Sequence, residues 1–242
     1  MGDRVKKIIR AVRAEGRTQL TEHESMAALQ SYGIPMVAGG AASSREKAAQ
    51  LADGLGYPVV MKVLSADLGH KTDVGGVKLD LFGEEQVLRA FDEIMEAVGA
   101  GEPEARIMGV SVQRQVNRGT ELIIGGLRDP HFGPVVMFGL GGIYTDVLAD
   151  VAFRLAPLGE SAARDLMRET AAYRMLTGIR GERPADLDQL AGIICKIGDL
   201  LVGHEAVEEV EMNPFVIPAE GSPVAVDALI TLSENGVEGQ IS

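Results

Sequence analysis

The residues with the most chemical content lie between positions 69 and 77, Gly69-His70-Lys71-Thr72-Asp73-Val74-Gly75-Gly76-Val77. They directly follow an apolar segment, Tyr57-Pro58-Val59-Val60-Met61-Lys62-Val63-Leu64, that carries a single lysine. Glycines let backbone N–H groups approach an anion, a lysine supplies a point charge for phosphate, and a loop histidine can accept a phosphoryl group. Neither G-x-x-x-x-G-K-[ST] nor G-x-G-x-x-G occurs in the chain, which excludes a Walker A loop and a Rossmann fingerprint. Nucleotide chemistry on another architecture is indicated. Asp73 either orients His70 or caps the loop turn.

A second cluster sits near the far end, Glu208-Glu209-Val210-Glu211-Met212-Asn213-Pro214, followed by Ala225-Val226-Asp227. Strand alternation puts Glu209, Glu211 and Asn213 on one face. If the last segment returns as a hairpin, Asp227 comes near Asn213. Carboxylate and amide oxygens are the donors that Mg²⁺ takes while it bridges to phosphates. Acidic residues on a terminal hairpin also occur as a plain solvated edge. The apolar residues around Asp227 speak against that for this position, because unpaired buried charge is costly.

Both clusters need strands and tight turns to place them, and the spacing predicts these. Helices are expected at 3–16, from Thr21 to Gly33 with Thr21 as N-cap and Glu24 at N3, from Ser43-Ser44 to Gly54 or Gly56, and at 84–98, 160–171 and 185–202. Strands are expected at 58–64, 75–82, 107–116, 119–127, 206–217 and 223–232, with another apolar run at 133–139 and a hinge at Gly99-Ala100-Gly101-Glu102-Pro103. Strand pairs and helices in this order make an α+β chain with largely antiparallel sheets. At 242 residues it has room for one large domain or two lobes. The formal charge of −12 and the lack of Arg/Lys clusters argue against nucleic-acid binding. No apolar run approaches membrane-spanning length, and no signal-peptide h-region is present. Cys195 is the single cysteine; it reads as a small core residue and suits a reducing, cytoplasmic location.

Taken together the motifs resemble the ATP-grasp superfamily, and within it the nucleotide-binding β subunit of ADP-forming acetyl-CoA (acyl-CoA) synthetases, relatives of succinyl-CoA synthetase. The resemblance runs from about residue 18 to 232. It rests on the 69–77 motif, on Asp129-Pro130-His131-Phe132-Gly133-Pro134-Val135-Val136-Met137-Phe138-Gly139, on Gly141-Gly142, and on Glu211-Met212-Asn213-Pro214 with Asp227. It implies an ATP-grasp fold of two α+β lobes clasping a nucleotide: an N-terminal lobe at 18–105, a C-terminal lobe at 106–235, and a helical extension at 1–17. By the same resemblance His70 carries a phosphoryl group, and Lys62, Gly75 and Gly76 meet the ATP or ADP phosphates. Gln115 and Val116 fall where the adenine is held, mostly by backbone, and Glu121 falls near the ribose. Glu211, Asn213 and Asp227 match the Mg²⁺ ligands. The Gly139–Gly142 run, with Arg154 near it in sequence, is either a second phosphate-facing loop or tightly packed backbone.

The implied reaction is acyl-CoA + ADP + phosphate ⇌ acid + CoA + ATP. A partner α subunit would handle CoA and the acyl-phosphate in a heterotetramer of two α and two β subunits. Two other readings fit an ATP-grasp chain. One is a carboxylate–amine or carboxylate–thiol ligase that works through an acyl-phosphate without a phosphohistidine. The other is a noncatalytic nucleotide-sensing module.

Overall fold

The computed structural model describes residues 2–68, 71–142, 150–178 and 184–234, and these form two compact units. The smaller comprises Thr21–His23 and Val37–Val116, the larger Met1–Leu20, Glu24–Met36 and Asn117–Ser242.

In the smaller unit the chain runs β1 (Gly39–Ala42), α3 (Arg45–Leu55), β2 (Val59–Leu64), β3 (Val77–Leu81), α4 (Glu84–Gly101) and β4 (Gly109–Arg114). The strands make one antiparallel sheet in the order β1-β4-β2-β3. Helix α3 starts where Ser44 accepts the N–H of Lys47 and stops at Gly56, whose φ of 79° lies in the left-handed region. The alanines Ala48, Ala49 and Ala52 let α3 pack closely, and Val87, Ala90, Ile94 and Val98 supply the matching stripe of α4. Against these helices β2 turns Val59, Met61 and Val63, and β4 turns Val110 and Val112. Alternation then sends Val60 and Lys62 of β2, with Ser111 and Gln113 of β4, to the other face of the sheet.

The larger unit holds α1 (Gly2–Ala14), β5 (Gly119–Asp129), β6 (Gly133–Leu140), β7 (Val151–Leu155), α5 (Glu160–Arg168), α6 (Ala172–Leu176), α7 (Leu187–Gly203), β8 (Val207–Pro218), β9 (Val224–Ala225) and β10 (Leu229–Leu232). Helix α2 (Glu22–Ser31) begins in the smaller unit and continues in this one. The sheet order is β10-β8-β5-β6-β7, antiparallel throughout, with the short β9 also paired to β8. A Cβ on Gly126 would meet Leu201 Cδ1 at 2.7 Å, so Gly126 faces α7. Its row mates Leu122, Ile124, Val136, Phe138, Val210 and Met212 share that face and are buried. The row Phe153, Met137, Gly125, Glu211 lies on the opposite face.

Four features differ from the sequence expectation. The smaller unit continues to Val116 rather than 105, because β4 pairs with β1 and β2 and is part of their sheet. The expected hinge is largely the last turn of α4. The N-terminal helix is built into the larger unit: Val5, Ile9 and Val12 are buried. Strands β1 and β7 were not expected at all. Cys195 is half-buried on α7, and burial pushes its thiol above the usual range. Among the described residues no helix is long and apolar enough to cross a membrane.

Gly126 and Gly99 make a paired test of this packing. A Cβ on Gly126 would lie 2.4 Å from the Val135 carbonyl oxygen, whereas Gly99 is exposed in α4 with nothing within 4 Å. In chemical denaturation, Gly126→Ala is expected to lose about 1–3 kcal/mol. Gly99→Ala is expected to gain about 0.5–1 kcal/mol, because a solvent-facing helical glycine gives up more backbone entropy on folding.

Candidate functional site

In the smaller unit the site is built on the face of the sheet that the helices leave. Lys62, Ser111 and Gln113 are all buried there. Lys62 and Gln113 converge on a residue that carries no local sequence signal. Glu22, at the start of α2, accepts from Lys62 Nζ at 3.1 Å and from Gln113 Nε2 at 2.6 Å, both on Oε1. Lys71 donates to its other oxygen, Oε2. Lys62 is therefore a buried, engaged cation and not one reaching out from a strand edge. Burial alone would push the Glu22 carboxyl up; the two ammonium groups and their hydrogen bonds outweigh that and hold it below the usual carboxylate range. It is ionised at neutral pH.

The loop behind Lys71 is closed by its own backbone. Gly75 N–H donates to Thr72 at 3.1 Å, Gly76 N–H to the Lys71 carbonyl at 2.8 Å, and Val63 N–H to the Gly76 carbonyl at 2.7 Å. Gly75 has φ 70°. A Cβ on Gly76 would stand 2.6 Å from Val63 Cγ1 and 2.8 Å from the Lys71 oxygen. The two glycines thus serve the turn, and their N–H groups are spent inside it. His70 and Gly69 lie outside the described residues. At the end of β4 the Gln115 side chain is closed in a mutual pair with Asp80, at 2.6 and 2.8 Å, and its N–H donates to Pro58 at 3.0 Å. Val116, next along the chain, is half-buried.

In the larger unit the second cluster lies on the sheet face opposite α7. Between the pairs Ile124↔Met212 and Leu122↔Phe215, the two residues Asn213 and Pro214 stand against Ile123 alone. That extra residue is a β-bulge. It keeps both Met212 and Phe215 in the core, each 0% exposed, while leaving Asn213 on the polar face. Asn213 Oδ1 accepts the Gly142 N–H at 3.1 Å, and the Asn213 side chain hydrogen-bonds to Glu211. Val226 N–H donates to the Pro214 carbonyl at 3.0 Å, which brings Asp227 beside this group. Asp227 sits in the break between β9 and β10, where its Oδ1 accepts the Ala228 N–H at 2.9 Å, and not within a continuous final strand as expected. Glu121 lies close to Gly142: a Cβ there would be 2.0 Å from Glu121 Oε2.

These donors fit a hard divalent cation. Burial, with the neighbouring charges of Glu209 and Asp227, pushes the Glu211 carboxyl up despite the Asn213 hydrogen bond. A cation would relieve that crowding. Among the described residues no group of three or more His, Cys, Asp or Glu side chains is arranged to hold a metal, so the set is two carboxylates and one amide. Gly139 and Gly141 are explained by packing, with Cβ positions 2.1 Å from the Asp150 carbonyl oxygen and 2.5 Å from Leu122 backbone. Arg154 is paired with Glu169. Of the other histidines, His131 is exposed, 3.8 Å from Asp129, and His204 is buried edge-on to Tyr32, where burial lowers its pKa.

Comparison with known proteins agrees with this geometry. The ATP-grasp domain family model matches residues 11–232. The β subunit of acetate–CoA ligase [ADP-forming] I from Pyrococcus furiosus is 42% identical over 95% of this chain and 100% of its own length. This chain belongs to the ATP-grasp family of ADP-forming acetate–CoA ligase β subunits. A longer relative, acetate–CoA ligase [ADP-forming] I of Archaeoglobus fulgidus, is 46% identical, and the chain spans 87% of itself but 30% of that protein. Among solved structures, acetyl-coenzyme A synthetase 1 of Ca. Korarchaeum cryptofilum, in complex with coenzyme A and Ca-AMPCP, superposes with a TM-score of 0.90 at 41% identity, covering 94% of this chain and 99% of that one. The same protein with coenzyme A and Mg-AMPPCP, its phosphohistidine segment pointing towards the nucleotide-binding site, matches at 0.82 and 38% identity over 95% and 100%.

The sign of the Glu22 linkage gives a test. Its folded pKa lies below the unfolded value of 4.5. Its contribution to stability is therefore fully present above that value and is lost as pH falls through the folded pKa. Glu22→Gln is expected to cost about 3–5 kcal/mol at pH 7, because it removes the charged partner of buried ammonium groups. The gap between variant and wild type, read from denaturation midpoints, should narrow as pH falls below 4.5.

Proposed function

We propose that this chain is the nucleotide-binding subunit of an ADP-forming acyl-CoA synthetase, interconverting acyl-CoA, ADP and phosphate with a carboxylic acid, CoA and ATP by way of a phosphohistidine at His70. The observation that carries the reading is the Lys62–Glu22–Lys71 ion cluster, which fixes a cation immediately after His70 in a chain matching β subunits over nearly its whole length. A neutral His70 ring nitrogen attacks the γ-phosphorus, the N–P bond forms as the bond to the bridging oxygen breaks, and ADP leaves. The Lys62 and Lys71 ammonium groups offset the charge on the transferring group. Gly75 and Gly76 shape the loop, Gln115 and Val116 hold the adenine, and Glu121 meets the ribose. Glu211, Asn213 and Asp227 would hold Mg²⁺, which would supply positive charge to offset that of the nucleotide phosphates.

A partner subunit is part of the same proposal, supported by the match to a Pyrococcus furiosus protein named a β subunit. CoA binding and acyl-phosphate chemistry are assigned to an α subunit, in a heterotetramer of two α and two β subunits. A cytoplasmic location belongs to the same reading, supported by a nucleotide substrate and a single cysteine.

Intact mass under non-acidic conditions, after incubation with Mg²⁺-ATP and with peptide mapping, tests the relay. One acid-labile phosphate on His70, absent in His70→Ala along with synthetase activity, is the expected result. ATP binding without phosphate, even with an α subunit present, would favour the acyl-phosphate ligase. In the same chain Mg²⁺ with a non-hydrolysable ATP analogue is expected to raise the unfolding midpoint. Asp227→Asn should remove most of that gain, which is about 2.7 kcal/mol for a ligand at roughly a hundred times its Kd.

A further inference from the structure

Glu22 is where three elements of the smaller unit meet. Its side chain is 1% exposed, and its two oxygens divide the work between strands and loop. Oε1 takes Lys62 of β2 and Gln113 of β4, and Oε2 takes Lys71. Lys71 directly follows His70, and its own carbonyl is tied to Gly76. Lys71 is therefore held at two points: its side chain on Glu22 and its backbone carbonyl on the Gly76 N–H. Stability alone is a weak reason to build such a cluster, since a buried ion triad is often no more stable than apolar residues of the same volume.

We propose that Glu22 is a positioning residue for phosphoryl transfer: it sets the spacing between the Lys62 and Lys71 ammonium groups that meet the transferring phosphoryl group. The proposal deepens the His70 reading and rests on it. Near-attack geometry is sensitive to displacements of the order of 1 Å, which can cost about a hundredfold in rate. A carboxylate reaching two cations from a separate helix is a device for setting that distance. Ion pairing within the loop could not set it relative to β2.

The test is single-turnover phosphorylation of the full chain by Mg²⁺-ATP at saturating nucleotide, with the α subunit present if wild type needs it, read as acid-labile phosphate on His70. Wild type is the control for the underlying reading: no phosphate on His70 means that the relay itself fails, whatever Glu22 does. Glu22→Gln removes the charge. Glu22→Asp keeps the charge on a shorter arm and answers the question if the amide variant does not fold. Folded Glu22→Asp and Lys71→Gln are each expected to slow transfer by about tenfold or more at saturating ATP. The double variant should be slower than the worse single one by no more than about threefold, because both act through one contact. A folded Glu22→Asp that transfers at the wild-type rate once ATP is saturating would overturn the proposal. Losses that multiply in the double variant would do the same, since Glu22 would then not be working through Lys71.

Discussion

Each sheet of this chain is covered by helices on one face, and strand alternation turns that single constraint into the placement of the chemistry. In the smaller unit Val59, Met61 and Val63 are committed to α3 and α4, which leaves Lys62 nowhere to point but the opposite face. In the larger unit Val210 and Met212 belong to the α7 side, so Glu209, Glu211 and Asn213 cannot. A register slip of one residue would exchange core and site on every strand at once. The Asn213-Pro214 bulge shows how tightly this binds: one inserted residue restores Phe215 to the core after Asn213 has been spent on the polar face.

The two clusters resolve the cost of buried charge in opposite ways. Glu22 is the more deeply buried carboxylate and meets the stronger desolvation, yet it stays ionised because two ammonium groups and an amide address its oxygens. Glu211 is less buried, but the charges acting on it, Glu209 and Asp227, share its sign, so its carboxyl is pushed up. The Glu22 carboxylate is met by cations of its own unit. The Glu211 cluster is strained in a way that an incoming cation relieves, as a site for an exchangeable ligand should be.

Much of this was legible in the sequence, because periodicity and capping are local signals. Ser44 and Gly56 delimit α3, Gly33 follows α2, and the turn at Asp129-Pro130 separates β5 from β6. The strand carrying Lys62 and the face carrying Glu211 and Asn213 also follow from period-two alternation. Glu22 was not legible, since nothing local marks it: its partners lie 40, 49 and 91 residues away along the chain. Strand β1 escaped for the opposite reason. Gly39-Gly40-Ala41-Ala42 has no side-chain pattern to read and exists as a strand because β4 offers it an edge. The smaller unit runs on through the glycine-rich segment at 99–103 because α4 propagates into it and β4 pairs beyond it.

The glycines of the 69–77 motif carry the last lesson. A glycine beside a lysine and a histidine suggests amide groups bared to an anion, and the residue types are right for that chemistry. Their backbone donors are spent elsewhere, Gly75 on Thr72 and Gly76 on Lys71, and Gly76 lacks a side chain because Val63 occupies the space. The motif is thus a device for turning the chain sharply out of the loop and into β3 while leaving Lys71 within reach of Glu22. Within the described part of the loop, Gly75 and Gly76 therefore keep no N–H for an anion, and the chemical content of the motif there lies in the Lys71 side chain.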